Sequence, residues 1–172
     1  MRSTFSAILF TILLSCQTKP KQETLSSAPA EDSVTILAKR PGPNAPRSAA
    51  DRLVRALYFE HRKKENPLLE TKDRTLIDQF FINSTADRIW RNASAVKQNK
   101  PKVNPLFNAP DETVKKAWVL PAAVAGSRAV VYVTFERNAK PQEIRIDMQQ
   151  VAGRWRIVDM LYPDGKQLTE IL

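Results

Sequence analysis

Near residue 117 the spacing of apolar residues changes from a period of 3.6 to a period of 2, and a chain that does this once has few folds open to it. Before the change, Ser48-Ala49-Ala50-Asp51 reads as a helix start, a hydroxyl cap followed three residues later by a carboxylate. The helix should run to about Glu65, where Asn66-Pro67 stops it, with Leu53, Val54, Leu57, Tyr58 and His61 on its apolar stripe. A second helix is expected over Lys72–Ile82, with Leu76, Ile77, Phe80 and Phe81 inside. Ser84-Thr85-Ala86-Asp87 repeats the cap signature and opens a third helix through Ile89, Trp90, Ala93 and Val96. Asn99–Thr113 holds Pro101, Pro105 and Pro110 and should be an ordered loop. After the change, Ala117–Ala125 predicts an edge strand or a bulge at Pro121. Ala129–Arg137, Glu143–Gln150 and Arg154–Leu161 follow as strands joined by short turns. Short turns make consecutive strands neighbours, so the expectation is an α+β domain over residues 49–172, its N-terminal helices packed on a curved four-stranded antiparallel sheet.

The N-terminus carries a different signal. Met1-Arg2-Ser3 is a short positive start, and Phe5–Leu14 is apolar except for Ser6 and Thr11. A spanning helix needs about 20 apolar residues, so this run fits the core of a signal peptide. It ends in Leu13-Leu14-Ser15-Cys16, which resembles the lipobox of bacterial lipoproteins. That resemblance implies cleavage between Ser15 and Cys16 and acylation of Cys16, the chain's one cysteine. Residues 1–15 are then the signal peptide, and residues 16–48 an acylated cysteine with a disordered, Pro-rich tether. Two or more acyl chains hold a protein stably on a bilayer, at about 0.8 kcal/mol per buried CH₂. Gln17 follows Cys16 where inner-membrane retention is associated with Asp, so the expected address is the outer membrane, facing the periplasm. Within the tether, Val34-Thr35-Ile36-Leu37 is apolar enough to add a short strand or to dock on the domain.

Scarcity excludes much chemistry. A single Cys and a single His leave no disulfide framework, no cysteine zinc cluster and no two-His metal site within the chain. Four Gly, scattered singly, make no phosphate loop, and no cofactor is expected. The formal net charge of +9 is spread along the chain without interleaved stacking aromatics, which argues against nucleic acid and fits a protein beside anionic headgroups.

The helix–helix–helix–loop–four-strand order, closing in Val151-Ala152-Gly153-Arg154-Trp155-Arg156-Ile157-Val158-Asp159, resembles the nuclear transport factor 2-like, cystatin-like superfold. More narrowly, Asn104-Pro105-Leu106-Phe107-Asn108-Ala109-Pro110-Asp111 and Asp164-Gly165-Lys166-Gln167-Leu168 are similar to an uncharacterised family of bacterial lipoproteins, although Pro110 stands where that family often has Gln. The superfold implies a pocket between its first helix and the sheet, with His61, Asp147 and Asp159 as the titratable groups that could point into it.

Asp159 shares strand parity with Trp155 and Ile157, which puts a carboxylate on an apolar face. It should therefore pair with Arg145 or Arg128, cap the following turn, or act on a ligand. His61 is either a general base or a helix-end histidine. Trp90, Trp118 and Trp155 read as core or hairpin staples. The Pro-rich loop is the segment most expected to bind, through Asn104, Leu106, Phe107, Asn108 and Asp111, with Leu106 and Phe107 equally readable as core plugs.

The first functional expectation is a non-catalytic envelope lipoprotein whose domain binds a protein partner. A small-ligand or enzymatic pocket using Asp159 and His61, and an immunity-type lipoprotein that binds a toxin, are the alternatives. Cys16→Ala should move the protein from the membrane fraction to the soluble fraction; retention in the membrane would remove the anchor.

Overall fold

A computed structural model describes residues 33–60, 66–70, 72–95 and 103–172. Ser15, Cys16 and His61 lie outside them. The elements run α1 (Ser33–Ala38), α2 (Ala49–Arg55) passing into a π turn (Ala56–Glu60), a 3₁₀ turn (Pro67–Leu69), α3 (Arg74–Phe80) and α4 (Asn83–Ala95). A second 3₁₀ turn (Asp111–Thr113) leads to β1 (Val114–Val119), β2 (Ala123–Ala125), β3 (Arg128–Arg137), β4 (Lys140–Val151), β5 (Arg154–Leu161) and α5 (Leu168–Ile171). The α+β expectation holds, but the stretch expected to be disordered tether is ordered from Ser33, and Val34–Leu37 are helical and docked beside β2 where a strand or docking segment was expected. No helix among the described residues is long and apolar enough to cross a membrane.

α2 begins where its cap predicts. Ser48 Oγ accepts from the Asp51 amide at 3.3 Å, and the Ser48 amide donates to Asp51 Oδ1 at 2.7 Å. The Asp51 side chain is buried, and the Ala122 amide approaches the same Oδ1 at 3.4 Å. Arg47 Nη1 lies 3.6 Å from Oδ2 and donates to the Val119 carbonyl at 2.8 Å. One carboxylate thus joins the start of α2 to the edge of the sheet.

The sheet is antiparallel in the order β1-β3-β4-β5, with β2 also paired to β3. Five strands therefore stand where four were expected. Pro121 lacks an amide to donate, so the edge strand pairs with β3 as far as Leu120, whose amide reaches the Tyr132 carbonyl, and resumes at Ala123 as β2. Val131, Val133, Phe135, Ile144, Ile146, Met148, Ile157 and Met160 form the inner face, against Val54, Leu57, Tyr58, Ile77, Phe80, Phe81 and Ile89 from the helices.

Two bulges break the alternation. On β1, Lys116 and Ala117 together oppose Phe135, and Lys116 takes φ +51°. On β5, Val158 and Asp159 share the place opposite Asp147. The free edge of β5 is covered: the Ile82 amide and the Thr85 hydroxyl bond the Ile157 and Val158 carbonyls.

Trp90 and Trp155 pack on the core from partly buried positions, as staples should. Trp118 does not. Phe107 is enclosed (1% exposed), so Phe107→Ala should cost about 3–5 kcal/mol in urea unfolding, and the half-buried Trp155→Ala less. Equal losses would show that the core is not centred on Phe107.

Candidate functional site

The space between first helix and sheet, where a pocket was expected, is filled. Tyr58 meets Phe107 edge-on at 5.3 Å between ring centroids, and Phe107 meets Phe135 at 5.1 Å. Leu57, Ile146 and Leu106 close the remaining volume, each fully buried. Asp147 belongs to the opposite face and binds Arg145 at 2.9 Å.

Asp159 is also on that opposite face. Simple alternation would turn it inward with Ile157, but the bulge at Val158 and Asp159 hands the inward position to Met160. Its partner is neither Arg145 nor Arg128. Asp159 Oδ2 accepts from the Thr169 hydroxyl at 2.6 Å, and Oδ1 accepts from the Thr169 and Met160 amides at 3.2 and 2.8 Å. The carboxylate caps the first turn of α5, one of the readings open to it from sequence. The cleft beside it holds about 690 Å³ and is lined by Asp147, Asp159, Arg128, Arg145, Tyr132 and, from α1, Val34, Leu37 and Ala38, among others. Beside this face Arg40 pairs with Glu143 at 2.6 Å and lies 4.1 Å over the Tyr132 ring.

The loop singled out for binding is built into the interior. Leu106 and Phe107 are core plugs, 0% and 1% exposed. Asn104 organises the turn: its amide donates to the Ala109 carbonyl, its Oδ1 accepts from the Leu106 amide at 2.9 Å, and its Nδ2 donates to Asp111 Oδ1 at 2.9 Å. Asn108, at φ +47°, donates to Asp164 Oδ2 at 3.1 Å. Two phenols pin the loop, Tyr58 donating to the Leu106 carbonyl at 2.8 Å and Tyr162 to the Pro105 carbonyl.

Sequence reasoning missed an exposed aromatic ridge. The β1 bulge sets Val119 inward and leaves Trp118 opposite Thr134, half exposed. Arg55 lies against two aromatic rings, its Cζ 5.4 Å from the Trp118 centroid and 5.4 Å from that of Phe59, which is 47% exposed. Arg47 flanks Trp118 at 5.9 Å. Arg55 Nη1 is buried and has no hydrogen-bond acceptor. The one sequence sign of this ridge was Pro121, which marked the irregular edge without saying which way Trp118 would turn.

No family model matches the chain, and no curated protein matches it. Among solved structures, a chain in the crystal structure of the type VI native effector–immunity complex Tae3–Tai3 from Ralstonia pickettii is similar to it, at 20% identity and a TM-score of 0.43, over 67% of this chain and 94% of that one. A likeness of that size carries neither fold nor function across.

The phenols give the loop a pH dependence with a definite sign. Burial pushes the Tyr58 hydroxyl well above its ordinary value of 10.0, and burial with the charge of Asp159 and Asp164 nearby raises Tyr162. A group whose folded pKa is raised contributes stability that is complete below the unfolded value and lost above it. Urea stability should therefore lose this contribution only above about pH 10, and Tyr58→Phe should flatten the alkaline limb. An unchanged limb in that variant would show that Tyr58 is not the group responsible.

Proposed function

We propose that this chain is a cell-envelope lipoprotein, anchored by acyl groups on Cys16, whose domain is a non-catalytic module that binds a protein partner. Gln17 after the anchor favours the outer membrane, facing the periplasm. We assign the domain to the nuclear transport factor 2-like, cystatin-like superfold, on the strength of helices laid along one face of an antiparallel sheet and of the Gly153-Arg154-Trp155-Arg156-Ile157 closing hairpin. The observation that carries the binding reading is the ridge of Trp118, Arg55 and Phe59. A strained, non-glycine bulge residue costs about 1 kcal/mol or more, and here the bulge holds an indole in water. Trp and Arg are the residue types that dominate protein interfaces. The filled interior and the use of Asp159 as a helix cap weigh against a catalytic pocket in that place.

A photo-crosslinking amino acid at Phe59, compared with one at the equally exposed Val151 on the far hairpin, tests this in intact envelopes. A discrete adduct from Phe59 and none from Val151 is expected, and its mass spectrum separates a resident envelope protein from an incoming toxin. Matching patterns from the two sites would sink the reading.

A further inference from the structure

We infer that the ridge receives a carboxylate-bearing segment of the protein partner, with Arg55 as the anion's seat and the rings of Trp118 and Phe59 as its walls. This rests on the protein-binding reading above and adds the chemistry of the bound segment.

Three observations lead there. Arg55 Nη1 is enclosed yet has no acceptor among the described residues, and a guanidinium donor removed from water without a partner carries an unmet desolvation cost. The side chain as a whole is only partly buried, so an incoming oxygen would meet that cost once the guanidinium turns Nη1 toward it. Charge is out of balance in the same place: residues 47–60 bring Arg47, Arg52 and Arg55 against Asp51 and Glu60. Asp51 is buried, its Oδ1 taken by Ser48 and the Ala122 amide and its Oδ2, without a hydrogen bond, facing Arg47 at 3.6 Å; no ion pair joins Arg52 or Arg55 to a carboxylate among the described residues. The rings of Trp118 and Phe59 each lie 5.4 Å from the guanidinium carbon and are about half exposed, so a side chain inserted beside them would be shielded from water while it bonded. Charge-assisted hydrogen bonds in such a shielded setting are roughly twice as strong as neutral ones.

The arrangement suits a protein segment better than a lipid surface. Membrane-seeking patches rely on several freely reaching cations. Here Arg47 is tied to Asp51 and to the Val119 carbonyl, and Lys116 to Glu136; of the two arginines without an ion pair among the described residues, Arg52 is exposed and Arg55 alone lies against aromatic rings. That is a slot for a single carboxylate whose neighbouring side chains lie on aromatic rings.

The test uses the full chain, in non-ionic detergent, with the indole N–H of Trp118 followed by NMR and assigned by its loss in Trp118→Phe. The probe is a short end-blocked peptide of alternating glutamate and leucine. Its controls are the same peptide with glutamine for glutamate, and vesicles of pure phosphatidylglycerol. Saturable shifts of the Trp118 indole with the acidic peptide are expected, weakened roughly tenfold or more by the glutamine exchange and by Arg55→Gln, and restored in part by Arg55→Lys. Unchanged melting of each variant shows that the fold is intact. Equal binding of the acidic and glutamine peptides would overturn the carboxylate assignment while leaving a protein-docking ridge in place. An indole that responds to the vesicles and to neither peptide, or to nothing, would overturn both.

Discussion

One buried carboxylate holds the molecule's two halves in register. Asp51 completes the cap of α2, takes in the Ala122 amide just past the strand break, and draws Arg47 against the sheet edge. A charge so placed is tolerable because its first oxygen is met by hydrogen bonds from both elements and its second faces Arg47. The same contact explains how a broken edge strand survives. Where Pro121 interrupts pairing, the helix start supplies an acceptor for the Ala122 amide, and Arg47 supplies a donor for the Val119 carbonyl. Further along the edge, Lys115, Lys116 and the bulge blunt β1 against pairing with another chain.

From that junction the ridge follows. α2 continues from Asp51 to Arg55 and on to Phe59, so the element that closes the sheet edge also presents the guanidinium and one of its aromatic walls. The second wall comes from the sheet, through an insertion in β1. Because the interior is filled by Tyr58, Phe107 and Phe135, the recognition proposed above falls on the outside, where side chains can be exchanged without cost to the core.

Much of the fold was legible because its signals are local. The Ser48–Asp51 cap and the alternation of Ile144, Ile146 and Met148 each depend on a few neighbouring residues, and each gave the element it promised. The turns were legible too, although the first, read as Asn138–Pro141, closes within Asn138-Ala139; it and Ala152-Gly153 have positive φ at both positions of a two-residue hairpin. What escaped was parity. A bulge adds one residue and reverses every later side chain, and nothing in Lys115-Lys116-Ala117 or in Val158-Asp159 announces it. Asp159 was therefore read as sharing the face of Ile157, and Trp118, read as a core or hairpin staple, turns outward. The Pro-rich loop failed for another reason: long ordered loops suggest function, but this one is ordered because Leu106 and Phe107 complete the core. α5 is a single turn fixed by Asp159 and its own Gln167–Glu170 cap, too short to show a period.

Arg40 has a mechanical meaning. Its grip on Glu143 and Tyr132 connects the lead-in helix to the two central strands, β3 and β4, and both partners of the ion pair are partly solvated, 48% and 33% exposed. Exposed pairs contribute about 1 kcal/mol or less. A load entering at Ser33 would therefore peel α1 away and slip this latch before any strand bore tension. The next hold on the chain is Arg47, bound to Asp51 and the Val119 carbonyl, so the sheet edge takes load only after this latch has opened.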